Sequence, residues 1–258
     1  MIEIIIIAAA AFFTAMLTFF SGFGLGTILA PVFAFFFPVE IAIALTAVVH
    51  FANNIFKAIL IGKHADLRIL ALFGIPAFVA AAAGALVLVS LADLPILLQY
   101  QLGGEYFEVT PVKLVIAILL IVFTVFEILP GSASIQFGGN RMILGGLLSG
   151  FFGGLSGMQG ALRSAFLVKS GLNKEQYIAT GVLIACLSDF SRLIVYSAFF
   201  ATVNIQENYV LLIFACLSAF VGATTGRLLL KKVAFRSIQI LVAIMLIVIA
   251  LGLGSGII

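Results

Sequence analysis

Long apolar runs alternate with short polar or glycine-rich segments along the whole chain, and these runs predict ten helical segments. In the first half they cover residues 2–20, 27–37, 39–61, 66–90 and 112–129. In the second half they cover residues 141–152, 161–169, 174–199, 207–230 and 235–256. A helix needs about 20 apolar residues to cross a bilayer. The runs 27–37, 141–152 and 161–169 are therefore too short to cross alone.

Two glycine-rich breaks lie beside these short runs. The first reads Ser21-Gly22-Phe23-Gly24-Leu25-Gly26, and the second reads Gly153-Gly154-Leu155-Ser156-Gly157-Met158-Gln159-Gly160. Lipid cannot satisfy exposed backbone groups, so a break at membrane depth must line a cavity or be buried in protein. Glycine-interrupted short segments at corresponding places in two halves indicate the binding site of a transporter. The alternative is close helix packing through small residues, which suits Gly146, Gly222 and Gly226 better than the dense breaks.

Composition places the chain in the membrane. Hydrophobic residues make up 64% of its 258 residues and charged residues only 9%, whereas soluble domains carry about 25% charged residues. The sequence therefore predicts an all-α polytopic membrane protein in contact with the lipid bilayer. Cys186 and Cys216 lie inside apolar runs and read as core residues. No motif indicates a cofactor, a metal site or a nucleic-acid partner.

Loop charges distinguish two topologies for the short segments. Each short pair is either one broken helix that crosses once or a re-entrant hairpin that enters and leaves on one side. Cytoplasmic loops are enriched in Lys and Arg. Only the hairpin topology brings eight basic loop residues to one face, against Lys113 alone on the other: Lys63, Arg68, Arg141, Lys169, Lys174, Lys231, Lys232 and Arg236. We therefore expect re-entrant hairpins in a prokaryotic-type cell membrane, with both termini on the non-cytoplasmic side.

Five segments per half is an odd number, so the halves have opposite orientations and form an inverted repeat. The N-terminal repeat is residues 1–130, with hairpin 2–37 followed by helices 39–61, 66–90 and 112–129. The C-terminal repeat is residues 131–258, with hairpin 141–169 followed by helices 174–199, 207–230 and 235–256. Aligning Gly26 with Gly160 also aligns Thr46 with Thr180 and Asn54 with Ser188 without gaps.

Polar residues at membrane depth are costly and call for a role. Helix 39–61 carries Thr46, His50, Asn53, Asn54 and Lys57 at helical spacing, so they share a face. That face either lines a cavity or forms interhelical hydrogen bonds through the asparagines, with Lys57 reaching towards the cytoplasmic surface.

Helix 174–199 carries Ser188, Asp189, Arg192 and Tyr196. Asp189 and Arg192 are three residues apart and can pair, either as a structural ion pair or as a gate. Arg163, just after the second break, could bind an anion or pair with Asp189. His50 and Asp189 are the titratable candidates for proton coupling.

Together these features favour an anion. Helix N-termini carry partial positive charge and unpaired N–H groups, and two of them, near Thr27 and Ala161, point inward from opposite sides. Lys57, Arg163 and Arg192 exceed Asp189 by two positive charges. The predicted coupling or gating residues are His50, Lys57, Asp189 and Arg192. The predicted binding residues are Ser21, Gly22, Gly24, Gly26, Thr27, Asn53, Asn54, Ser156, Gly157, Gln159, Gly160, Arg163 and Ser188.

At these residues the chain resembles the TauE/SafE family of sulfite and organosulfonate exporters. The matching pieces are the first break with Pro31 beyond it, the stretch Ala42 to Thr46, the Asn53/Asn54 helix and the loop Lys63 to Arg68, followed by the second copy from Ser149 to Gly160. The resemblance implies a permease for a small inorganic or organic sulfur anion, such as sulfite, thiosulfate or a sulfonate, and not an enzyme. An anion channel and an intramembrane enzyme are the alternatives. Faces of small residues would allow a homodimer.

Overall fold

The computed structural model describes residues 1–18, 24–128, 141–200, 208–229 and 236–258. These residues form ten helices and one two-stranded hairpin. The first half contains α1 (Ile2–Thr18), α2 (Leu25–Ala34), α3 (Val39–Ile61), α4 (Leu67–Ala92), β1 (Leu98–Leu102), β2 (Glu105–Val109) and α5 (Pro111–Ile128). The second half contains α6 (Met142–Ser156), α7 (Gly160–Leu167), α8 (Lys174–Phe200), α9 (Tyr209–Leu229) and α10 (Arg236–Ser255). Each helix begins and ends within a few residues of its predicted apolar run.

Among the described residues, four helices are long and apolar enough to cross a bilayer, and they correspond to α3, α4, α8 and α9. Large apolar side chains cover the outside of the bundle: Ile59 is 79% exposed, Leu228 70% and Val248 63%. A water-soluble protein rarely exposes such a continuous apolar surface. The chain is therefore a multi-pass membrane protein, as its composition predicts.

Two helix pairs pack unusually closely through glycine. Helix α1 packs along α9, where a Cβ on Gly222 or Gly226 would overlap the main-chain carbonyls of Phe12 and Met16. Helix α6 packs along α4, where a Cβ on Gly154 would overlap the carbonyl of Ala81. Small residues let membrane helices approach in this way.

The remaining helices enclose the centre. Helices α3 and α8 pack against each other, α2 lies along α3, and α5 pairs with α10. Helix α4 has a π-helical turn at Leu70–Gly74, which ends two residues before Pro76. Such a turn accommodates a proline, which has no N–H to donate. Because α3 and α8 carry most of the polar residues at membrane depth, their contact positions the site.

The polar stretch between α4 and α5 adds a feature to the predicted all-α architecture. Strands β1 and β2 form an antiparallel hairpin in which Tyr100 pairs with Phe107. The Tyr100 hydroxyl donates to the carbonyl of Ser255 at 2.6 Å, and the Lys113 ammonium donates to the carbonyl of Glu108 at 3.1 Å. The hairpin therefore joins the loop between α4 and α5 to the end of α10.

Candidate functional site

The two glycine-rich breaks touch each other. Gly24, with φ 110°, precedes α2, and Gly157, with φ 81°, follows α6; both are left-handed conformations that favour glycine. A Cβ added to Gly26 would lie only 2.7 Å from the Gly157 carbonyl oxygen. The breaks therefore meet backbone to backbone, at a point with no space for a side chain. The predicted binding residues Ser21 and Gly22 lie outside the described residues.

The second break is shorter than its glycine content predicts. The helix expected to end near residue 152 runs further, because α6 continues through Gly153 and Gly154 to Ser156. Gly154 is needed where α6 packs on α4, and a Cβ on Gly153 would lie 2.8 Å from the Cβ of Gln159. These two glycines therefore serve close packing within helical structure, and only residues 157–159 interrupt the helix.

Helix α3 contributes His50 and Asn54 to a buried carboxylate on α8. The His50 Nδ1 atom lies 2.6 Å from Asp189 Oδ2, and the Asn54 side-chain amide donates to the same oxygen at 3.1 Å. An ionised carboxylate only accepts hydrogen bonds, so Nδ1 carries the proton. Asn54 Nδ2, 3.0 Å from Nδ1, then donates to Asp189 rather than to the ring.

The other oxygen of the Asp189 carboxylate, Oδ1, accepts hydrogen bonds from residues of the C-terminal half. Arg192 donates to Asp189 Oδ1 through Nε at 3.1 Å and Nη2 at 2.8 Å, and Gln159 Nε2 donates to the same oxygen at 3.2 Å. Arg192 Nη1 also donates to the carbonyl of Gly153 at 3.2 Å. The i, i+3 pair predicted from sequence is present, and both side chains are fully buried. Asp189 thus joins α3, α8 and the second break.

Arg163 is connected to this centre through Gln159. Its Nη1 donates to Gln159 Oε1 at 3.4 Å, while the amide of Gln159 donates to Asp189. Lys57 on α3 and Arg163 on α7 are both buried, 5% and 4% exposed. Burial strengthens the interactions of charged groups. The site therefore holds Lys57, Arg163 and Arg192 against one carboxylate.

Other buried polar atoms on α3 and α8 lack hydrogen-bond partners among the described residues: Thr46 Oγ1, Asn53 Nδ2, Asn53 Oδ1 and Ser188 Oγ. Buried polar groups in native proteins are almost always paired with protein or ordered water. The polar face of α3, which carries Thr46, His50, Asn53, Asn54 and Lys57, therefore contains two kinds of residue. His50 and Asn54 bond to Asp189, whereas Thr46 and Asn53 have polar atoms that a water molecule or a ligand would satisfy.

The remaining predicted residues belong to the breaks. Thr27 is buried on α2, and its carbonyl cannot receive the usual helical hydrogen bond because Pro31 has no N–H. The Ser156 hydroxyl donates to the carbonyl of Phe152 at 2.9 Å and accepts from the N–H of Met158 at 3.4 Å. Gly160 begins α7.

Sequence reasoning gave no role to two residues that shape this site. The Tyr196 hydroxyl donates to the carbonyl of Gly154, and the Ser149 hydroxyl donates to the carbonyl of Gln159 at 2.9 Å. Tyr196 follows Asp189 by seven residues and Arg192 by four, so helical periodicity alone places it on their face. For Ser149 the sequence has no comparable signal, because its bond to the second break depends on how the chain turns there.

Apolar helices that enclose a charged, hydrogen-bonded centre are typical of membrane transport proteins. A family model described as "Sulfite exporter TauE/SafE" matches residues 7–253. The chain therefore belongs to the TauE/SafE family of membrane transporters, which confirms the resemblance noted in the sequence. No curated protein and no solved structure matches the chain.

Proposed function

We propose that the protein is a secondary transporter of a small sulfur-containing anion, such as sulfite, thiosulfate or an organosulfonate. The observation that carries this proposal is the buried excess of positive charge, in which three cations accompany Asp189. A net excess of buried charge of one sign is expensive to keep in an apolar environment. A bound anion would lower that cost, whereas a cation would raise it.

The binding site lies beside the contact between Gly26 and Gly157. Asn54 and Gln159 provide amide donors, and Arg163 and Lys57 provide charge. Asn53 and Ser188 offer polar atoms that have no hydrogen-bond partner in the described part of the chain. The breaks supply backbone that a ligand can approach without meeting a Cβ. These are the ingredients of a transporter site formed by discontinuous helices.

The helix contacts support an inverted repeat of two five-helix halves. The first helix of each half packs on the fourth helix of the other, α1 on α9 and α6 on α4. The third helices, α3 and α8, pack together, and so do the fifth helices, α5 and α10. A two-fold relation between the halves would produce this reciprocal pattern. Alternating access by rocking of one element against another is the transport mode such repeats favour.

Coupling and orientation complete the proposal. His50 and Asp189 form the coupling or gating pair, with Lys57 and Arg192 beside them. The breaks are the tips of re-entrant hairpins, and both termini face away from the cytoplasm. Cysteine labelling at Met1 and Ile258 in intact cells would test this orientation.

Flux measurements on purified protein in liposomes test the function. Labelled sulfite, thiosulfate and a short alkylsulfonate are loaded separately, and we expect saturable uptake that Arg163→Ala and Asn54→Ala reduce. Flux that does not saturate would assign a channel. Absence of flux for all three anions, with both variants indistinguishable from wild type, would refute the proposal.

A further inference from the structure

The carboxylate of Asp189 accepts hydrogen bonds from an unusually complete set of donors. His50 and Asn54 donate to Oδ2, and Gln159 and Arg192 donate to Oδ1. Asp189, His50 and Gln159 are all at most 7% exposed. This is the donor set that a small oxyanion needs, since oxyanions are bound by amides, imidazolium or N–H groups and guanidinium groups.

These donors come from different elements. Arg192 lies on α8 with Asp189, three residues further along the helix. His50 and Asn54 lie on α3, and Gln159 lies in the second break with Arg163 behind it. Asp189 can therefore keep its bonds to Arg192 while losing the three donors that belong to other parts of the protein.

We propose that Asp189 is a built-in competitor, whose carboxylate occupies the anion-binding donors in the empty transporter and is displaced from His50, Asn54 and Gln159 when the substrate anion binds. This rests on the proposed anion-transport function and adds a specific role for one residue. In the empty state Asp189 limits the energetic cost of the buried cations. In the bound state the substrate replaces Asp189 as the bridge between α3 and the second break.

Displacement also explains how such a site releases its ligand. Three buried cations with no internal anion would hold a divalent anion tightly and exchange it slowly. A tethered carboxylate occupies the donors for part of the time. The apparent affinity for the anion is then lower, because only the fraction of protein with free donors can bind it. The protein therefore binds the anion less tightly but releases it faster, and a transporter requires fast release.

Binding and turnover of Asp189→Asn provide the first test. Asparagine retains the shape but is a poorer acceptor and carries no charge. We expect the Kd for thiosulfate, measured by calorimetry on purified protein, to fall at least about fivefold, while counterflow in liposomes slows. Asp66→Asn is the matched control, because the Asp66 side chain also accepts a hydrogen bond, a partly buried one from the N–H of Ile69 at 2.9 Å, and lies outside the site. A structural ion pair predicts weaker binding and slower transport together, and that result would overturn the proposal.

A second measurement keeps Asp189 in place. It is needed because Asp189→Asn also removes simple charge repulsion, and because that variant leaves Arg192 without its carboxylate partner. The chain has three aspartates, Asp66, Asp93 and Asp189. In an Asp66→Asn/Asp93→Asn background, carbon-13-labelled aspartate therefore reports on Asp189 alone.

We expect saturating thiosulfate to shift the infrared carboxylate stretch of Asp189, because three of its donors leave. An unmoved band, in protein that thiosulfate demonstrably stabilises, overturns the displacement. If wild-type protein transports anions while the band stays fixed, only this inference fails. If no anion binds or moves, the proposed function itself fails.

Discussion

The two glycine-rich breaks meet at one point but contribute different things to the site. The described part of the first break and the helix after it carry Gly24, Gly26 and Thr27, none of them charged. The second break and its helix carry Gln159 and Arg163, which connect to Asp189. The first break therefore supplies close backbone approach, and the second supplies charge and hydrogen bonds. If the halves descend from one duplicated unit, both have kept the glycine-rich break. Only the second half has kept or acquired charged and hydrogen-bonding side chains beside it.

The largest effect should come from adding a side chain where the breaks touch. Gly26→Val would place carbon atoms against the Gly157 carbonyl, which is fixed backbone that cannot rotate away. We expect loss of transport and a stability cost of about 3 kcal/mol or more, measured by flux and by thermal unfolding in detergent. Gly62→Ala is the control, because a Cβ there meets other side chains at an ordinary 3.7 Å. Wild-type flux in Gly26→Val would show that the contact is dispensable.

Removing charge from the second break should have the next largest effect. Arg163→Gln retains a polar side chain but loses the cation behind Gln159, so we expect anion affinity to fall at least about tenfold. Calorimetry with thiosulfate measures this change. Arg227→Gln is the matched variant, since Arg227 also lies on a membrane helix but is exposed. Equal losses in the two variants would mean that general positive charge, and not this position, attracts the anion.

The neighbouring residues Asn53 and Asn54 on α3 should give smaller but contrasting effects, which sharpens the comparison. Asn54→Leu removes a donor to Asp189 and should destabilise the protein by about 1–3 kcal/mol. Asn53→Leu removes a side chain whose polar atoms have no partner among the described residues, so we expect unchanged or higher stability with reduced anion binding. Thermal unfolding with and without thiosulfate separates the two effects. If Asn53→Leu lowered the Tm as much as Asn54→Leu, Asn53 would be as important for stability as Asn54. That result would contradict the different roles given to these two residues of the polar face of α3.

The smallest effect should come from Thr27, the polar residue that follows the first break. Thr27→Val keeps the branched shape on α2 and removes one hydroxyl, so transport should change less than about threefold. Flux at subsaturating thiosulfate is the appropriate measurement. A loss comparable to that of Arg163→Gln would give the first break a chemical role and end the contrast between the two.

Local patterns predicted the parts of this structure that depend on local sequence. Apolar runs located all ten helices, because burial in lipid requires long apolar segments. The i, i+3 spacing of Asp189 and Arg192 predicted their pair. The same reasoning failed at Gly153 and Gly154, which resemble a break but are helical, because the need for glycine there comes from a neighbouring helix.

Specific hydrogen bonds between side chains of distant helices were beyond the sequence. His50 and Asp189 are 139 residues apart, and their meeting depends on which faces of α3 and α8 pack together. The role of Gln159 is equally non-local, since it needs Arg163 on one side and Asp189 on the other. The hairpin of β1 and β2 escaped prediction because its strands are short and lie in a stretch distinguished only by its polarity.

The contact between Gly26 and Gly157 has a consequence for how relatives of this protein can diverge. Main chain meets main chain there, so that point has no room for a side chain that could alter what the proposed site accepts. In the proposed site, selection for a new anion would act on α3, α8 and Gln159, whose side chains meet at Asp189. The contact between Gly26 and Gly157 would then be the most constrained part of the site, and substitutions that change its chemistry would occur at the residues around that contact.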